Sequence, residues 1–242
     1  MLGLILLAYN EERYIVPALR QWEEHPEVVK KLVLISERPW NGSVEPRDRT
    51  AELARQMGAT VIIGDWKTEE DQRNFGLKEM MDCEFVFTLD PDEFLTKRDR
   101  EKLIAAMLLP KVMGNGHDAT PSVYRAEKMV TFWKDIYHVF SPADEHQPVI
   151  AVDPGRVRFT EHRNAHVHQQ PIIDVILWHL SWVRTDDEVK RKIESYSHAK
   201  AIPSWWFKDV WLAGRKKNVR PYGSGYSDIV ECQLPMEILY LL

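Results

Sequence analysis

The apolar, β-branched and aromatic run from Phe85 to Leu89 stops abruptly at Asp90-Pro91-Asp92-Glu93. Such a run is a strand buried on both faces, and acids at its carboxyl end mark the edge of a parallel sheet, where ligands gather. Pro91 biases Asp90 toward extended backbone, and residues two apart in extended chain point the same way. The motif therefore predicts that the Asp90 and Asp92 carboxylates converge on one point, where two hard oxygen donors suit Mg2+ or Mn2+. The competing reading is an acidic turn that leads into a helix capped by Thr96.

The same punctuation recurs upstream. Leu2 to Tyr9 is an aliphatic strand opening on Asn10-Glu11-Glu12, and Arg13 to Glu24 is an amphipathic helix with Ile15, Ala18, Leu19 and Trp22 inward. Val28 to Ile35 is a second strand ending at Ser36-Glu37. A loop from Arg38 to Arg47 follows, then a helix from Asp48 to Met57 with Gly58 at its end. Thr60 to Ile63 is a third strand, closing on Gly64-Asp65-Trp66, and Thr68 starts a helix that reaches Met81. Four alternations of strand and helix predict an α/β fold, an open, mostly parallel sheet flanked by helices with its site along the carboxyl edge. No G-x-G-x-x-G follows the first strand and no G-x-x-x-x-G-K-[ST] occurs, which argues against a dinucleotide dehydrogenase or a P-loop ATPase.

After a helix from Arg98 to Leu109 and a loop from Pro110 to Pro121, the pattern changes. Ser122 to Phe140, Val149 to Phe159 and Ile172 to Val183 read as less regular, aromatic-rich strands, expected to add antiparallel strands to one sheet; Thr185 to Ala201 reads as a capped helix. The expected organisation is a Rossmann-like half over 1–109 and a mixed α+β half over 110–242 of the same domain. A net charge of -5 argues against nucleic acid as the main partner. The longest apolar run falls short of the roughly 20 residues of a spanning helix, and Met1 to Tyr9 lacks the basic start of a signal peptide. The expectation is a cytoplasmic protein, with the apolar end Ile238 to Leu242 docking on a membrane surface or on the core. Cys83 and Cys232 are too few for a disulfide scaffold and are expected to be reduced.

Several segments, taken in order, resemble family 2 glycosyltransferases with the GT-A fold. They are Tyr9-Asn10-Glu11-Glu12, Asp71-Gln72-Arg73-Asn74-Phe75-Gly76-Leu77, Leu89-Asp90-Pro91-Asp92-Glu93, His179-Leu180-Ser181-Trp182 and Lys192-Ile193-Glu194-Ser195-Tyr196-Ser197. The closest flavour is the lipopolysaccharide-core glucosyltransferase-like branch. The likeness runs from Gly3 to Ala201, without a family signature between Pro110 and Arg156, and Pro91 stands where the family has a small residue.

The resemblance implies metal-dependent transfer of a sugar from a nucleotide-diphosphate sugar to an acceptor hydroxyl on a glycan, a lipid-linked molecule or a protein. It implies Asp90 and Asp92 as carboxylates for Mn2+ or Mg2+, His179 as a further ligand across the cleft, and Arg73 facing the nucleotide. A cation bridging the diphosphate oxygens stabilises the charge that develops on the leaving group. At the strand ends, Ala8, Asn10, Glu12, Glu37 and Asp65, with Arg73 and Asp90, are the candidates for nucleoside recognition. An inverting transferase also needs a carboxylate base; Glu161 is preferred because it follows an apolar strand-like run, with Asp144, Glu145, Asp186 and Asp187 as rivals.

Each assignment has a structural counterpart. Arg73 is also readable as a surface arginine or as a structural pair with Asp90, and His162, His166 and His168 compete with His179. Trp133, Trp178, Trp182, Trp205 and Trp206 stack on acceptor sugars or build core, and the basic run from Arg215 to Arg220 closes over a diphosphate or coats a surface. Two other functions stay open. One is a non-catalytic nucleotide-sugar-binding protein of the same fold. The other is a haloacid dehalogenase-like phosphatase, against which Phe94 and the motif's place on the fourth strand both count.

Overall fold

The structure, a computed structural model, describes residues 1–42, 44–108, 121–143, 146–167, 170–220 and 227–242. Most of the expected loop from Pro110, the base candidates Asp144 and Glu145, and His168 lie outside these residues.

Strand β1 (Leu2–Ala8) is buried along its whole length. It pairs in parallel with β2 (Val28–Ser36) on one side and with β4 (Phe85–Leu89) on the other, and β3 (Thr60–Gly64) extends β2 in parallel. Alternation along β1 divides the core. Leu2, Leu4, Leu6 and Ala8 face α1 (Ile15–Arg20), α2 (Thr50–Gln56) and α4 (Lys97–Leu108), whereas Ile5 and Leu7 face α3 (Glu69–Glu79). Helix α3 begins where its sequence says it should: the Thr68 side chain accepts from the Asp71 amide at 3.2 Å, and three acids fill the first turn. Thr96 caps α4 in the same way, accepting from the Asp99 amide at 3.1 Å.

The second half extends the same sheet. Strand β8 (Val149–Val152) lies antiparallel between β4 and β6 (Val123–Trp133), and β7 (His138–Ser141) pairs with β6 and with β12 (Asp228–Glu231). A hairpin of β9 (Phe159–Glu161) and β10 (Asn164–Ala165) then leads to β11 (Ile172–Trp182). Strand β11 departs from the antiparallel expectation: it runs parallel to β6, and its antiparallel partner is the two-residue β5 (Glu93–Phe94). That short pairing places Glu93 opposite His179, and the Leu180 amide donates to the Asp92 carbonyl at 2.8 Å. Helix α5 (Asp186–Ser195) opens with a capping box between Thr185 and Glu188.

Trp133, Trp182, Trp206 and Trp211 pack together in one buried cluster and build core, Trp178 packs half-buried against another cluster, and Trp205 is exposed. Lys216 and Lys217 are exposed, and the 215–220 run does not line the main cleft. In α6 (Met236–Leu239), Ile238 is buried while Tyr240 and Leu242 beyond it are exposed. Among the described residues no helix is long and apolar enough to cross a membrane.

Close contact between α3 and the sheet depends on Gly76, where an added Cβ would lie 2.9 Å from Leu34 Cδ1 and 3.1 Å from Ile5 Cγ2. Gly76→Val is therefore expected to lower stability by about 1–3 kcal/mol through overpacking. Urea unfolding checks this, and an unchanged midpoint would show that the helix has room to move.

Candidate active site

A cleft of about 1000 Å3 opens over the carboxyl ends of β1 and β4, walled by β11, α5 and the loop after β2. Ala8, Asn10, Glu12, Arg73, Asp90, Asp92 and His179 all line it. Glu37, Asp65 and Glu161 do not. Glu37 is exposed, 3.6 Å from Arg47, and Asp65 is drawn outward to Arg38 at 2.7 Å. Glu161 faces solvent at the end of β9, while the next residues His162, Arg163 and Asn164 enter the cleft. The turn at His162 and Arg163, with His162 at a φ of 47°, thus enters the cleft while the preferred base stays outside it. Asp186 is also occupied elsewhere, accepting from Trp211 Nε1 at 2.7 Å.

The acidic motif is a turn rather than a continued strand. The Glu93 amide donates to the Asp90 carbonyl at 3.1 Å, and the Asp90 amide donates to Glu93 Oε2 at 2.9 Å. The turn breaks the two-residue alternation, so Asp90 and Asp92 engage opposite sides of the cleft. Arg73 donates to Asp90 Oδ1 at 2.9 Å, to Glu69 at 2.8 Å and to Thr88 Oγ1 at 2.9 Å. Arg73 is only 1% exposed, which makes it the buried partner of Asp90. Glu93 is bound by Arg163, whose guanidinium also donates to the Thr88 carbonyl at 2.5 Å.

Asp92 is 3% exposed and surrounded by cations. Its Oδ2 accepts from Arg184 at 2.9 Å and from Lys192 at 3.0 Å, and its Oδ1 lies 3.5 Å from His179 Nε2. Arg184 is held further by Glu11 at 2.8 Å. Burial alone would raise the Asp92 carboxyl, but Lys192, His179 and Arg184 hold it well below the usual carboxylate range. Asp90 moves the other way: burial raises it, Glu93 adds to the rise, and Arg73 opposes. Glu93 is held below its ordinary value because Arg163 outweighs burial.

Among the described residues, no group of three or more His, Cys, Asp or Glu is set to hold a metal ion. The expected Asp90–Asp92–His179 set is therefore not a preformed cage, because Asp90 turns to Arg73. Asp92 and His179 do fit a cation that brings further oxygens with it, as Mg2+ does when it binds through one or two protein groups and substrate phosphates. His179 Nδ1 lies 3.4 Å from Thr131 Oγ1, a contact that suits an imidazole presenting Nε2 to Asp92.

Two nucleoside-side candidates have structural duties. Asn10, at a φ of 53°, donates to the Pro46 carbonyl at 3.0 Å and accepts from the Asp48 amide at 3.2 Å. Glu12 accepts from the Arg49 amide at 3.0 Å. They tie the loop after β2 to the end of β1. His162 lies 3.5 Å from Glu69, which raises its pKa, and its ring centroid is 4.7 Å from that of His198; His166 is exposed.

The residues that the sequence reading does not name are Glu69, Arg163 and Arg184, while Glu11 lies within the Tyr9-Asn10-Glu11-Glu12 segment without a role. The signal for Arg184 was its place between the end of β11 and the Thr185 cap, which aims it back at the acidic strand end. Lys192 stood within a quoted motif but without a role.

No protein-family model matches the sequence, and no curated protein matches it. Among solved structures, the chain is similar to glucosyl-3-phosphoglycerate synthase from Mycobacterium tuberculosis in complex with Mn2+, UDP and phosphoglyceric acid. The identity is 18% over 52% of this chain and 42% of that one, with a TM-score of 0.38. It is also similar to S. aureus TarS, at 16% identity over 74% of this chain and 36% of that one, with a TM-score of 0.42. The chain thus spans less than half the length of either protein.

The low values for Asp92 and Glu93 fix a sign for acid unfolding. Their contribution to stability is complete above the ordinary carboxylate value and is lost as pH falls through the folded-state values. Melting temperature should therefore drop steeply below about pH 4, and the drop should be shallower in Asp92→Asn. Equal acid limbs for the two proteins would show that Asp92 is not held in its charged form.

Proposed function

We propose that the chain is a nucleotide-sugar-dependent glycosyltransferase with the GT-A fold, of the lipopolysaccharide-core glucosyltransferase-like branch. It transfers a sugar to a hydroxyl of a glycan, lipid-linked or protein acceptor. The observation that carries the reading is the buried Asp92 carboxylate at the sheet's carboxyl edge, facing His179 and flanked by Arg184 and Lys192, in a cleft of about 1000 Å3. A cleft of that size accommodates a nucleotide sugar.

In this reading the nucleoside lies against the strand ends near Ala8, Ser36, Trp40 and Gln72, which share the cleft lining. Arg191 and Lys192 of α5 face the diphosphate from the other wall. Asp92 and His179 would hold Mn2+ or Mg2+, whose chemistry is to neutralise charge on diphosphate oxygens. In the transfer itself, the bond between the anomeric carbon and the diphosphate oxygen breaks, and its electron pair stays on that oxygen. The acceptor hydroxyl oxygen bonds the anomeric carbon, and its proton passes to a carboxylate or to water. Arg73 fixes Asp90, and Arg163 fixes Glu93, so the turn carrying Asp92 is rigid before substrate arrives.

The test is thermal stability against a panel of nucleoside diphosphates and nucleotide sugars with Mn2+, Mg2+ or EDTA, for wild type and Asp92→Ala. A ligand at 100 times its dissociation constant should stabilise wild type by about 2.7 kcal/mol. A shift that requires metal and disappears in Asp92→Ala supports the reading and names the donor class. No shift with any nucleotide in the presence of metal contradicts it.

A further inference from the structure

Asp92 has two full cations on one oxygen, and they are built differently. Arg184 is 5% exposed and fixed on several sides: it donates to Glu11 at 2.8 Å, to Asp92 at 2.9 Å and to the Ser181 carbonyl at 3.2 Å, and it lies over the Tyr14 ring at 5.2 Å. Lys192 is 18% exposed, lines the cleft, and reaches Asp92 Oδ2 at 3.0 Å from the face of α5. Glu188, one turn earlier on α5, is engaged by Arg13 at 2.8 Å and by its capping box, so it holds a different cation. An ammonium on a flexible four-carbon stem can leave one carboxylate for another anion; a guanidinium locked by several partners cannot do so at similar cost.

We propose that Lys192 is an exchangeable counter-ion of Asp92. Without a divalent cation it neutralises Asp92 together with Arg184. When a divalent cation binds on the Asp92 Oδ1 and His179 Nε2 side, the added positive charge repels the ammonium. Lys192 then moves to the diphosphate of the donor, where it stabilises the oxygen that leaves. Arg184 remains as the permanent counter-ion and keeps the carboxylate in place. The arrangement couples the two ligands: metal alone competes with Lys192, whereas metal with a diphosphate gives Lys192 a new partner. This inference rests on the transferase reading for the identity of the anion, but the exchange at Asp92 is measurable without any nucleotide.

The experiment is calorimetric titration of Mn2+ alone into wild type, Lys192→Met, Lys192→Gln, Asp92→Asn and the Asp92→Asn/Lys192→Met double variant. It is followed by titration of a nucleoside and of its diphosphate at saturating Mn2+. Removal of the ammonium should tighten Mn2+ binding at least fivefold in both Lys192 variants, and the double variant should bind no better than Asp92→Asn. With Mn2+ present, the same variants should bind the diphosphate at least fivefold more weakly than wild type and the nucleoside equally well. Two substitutions of different polarity separate the loss of charge from a local packing defect.

Mn2+ affinity unchanged or weakened in both Lys192 variants would overturn the exchange, even if wild type binds diphosphates as the transferase reading expects. Absence of Mn2+ binding to every protein would overturn it as well. If Mn2+ binding tightens as described but no nucleoside diphosphate binds wild type, the exchange at Asp92 stands and the transferase reading falls.

Discussion

A carboxylate buried at the end of a central strand is tenable only if neighbouring cations replace the water it has lost, and Asp92 is such a group. The desolvation penalty for an ion in a protein interior is several kcal/mol, so its partners must be in place wherever the chain folds. Arg184 comes from the end of β11, Lys192 from α5 and His179 from within β11. The two-residue strand β5 pairs with β11 directly beside this cluster. Docking of the second half of the chain onto the first is therefore tied to neutralising one acid, and the cleft is the space between the elements that do it.

Two further cations make the floor rigid. Arg73 joins Glu69, Thr88 and Asp90, and Arg163 joins Glu93 and the Thr88 carbonyl. Thr88 thus anchors both guanidinium groups just before the acidic turn. Their effect on Asp90 and Asp92 is unequal: burial raises Asp90, whereas the surrounding cations hold Asp92 low. Environments that push two nearby carboxyls apart are a means of giving them different tasks at one pH. Here Asp92 faces Arg184 and Lys192 on one side of the cleft, and Asp90 faces Arg73 on the other.

The parallel half of the fold was legible because its signals are local. Apolar runs closed by polar residues located β1 to β4, and Thr68 with Glu70 and Asp71 located the start of α3. Gly76, which lies within the Asp71 to Leu77 motif, is a point where α3 packs against Leu34 and Ile5 of the sheet with no room for a Cβ. The cleft was legible in part, since most strand-end candidates do line it. Glu37 and Asp65 turn to Arg47 and Arg38, and Glu161 precedes the turn at His162 and Arg163, so these three lie outside the cleft for reasons that composition does not carry. The Asp90–Asp92 pair was misjudged because Glu93 closes a hydrogen-bonded turn on Asp90, which overrides the extended bias from Pro91. Arg184 and Lys192 lie 92 and 100 residues from Asp92, a separation that no local pattern spans.

In the proposed function the cleft around Asp92 activates a nucleotide-sugar donor. The most direct measurement is release of nucleoside diphosphate from a panel of nucleotide sugars, followed by chromatography, with and without Mn2+ and with water as the acceptor. Slow release from one donor class is expected, requiring metal and abolished in Asp92→Asn while the fold persists by circular dichroism. Release from no donor, or release that is indifferent to Asp92, would contradict it.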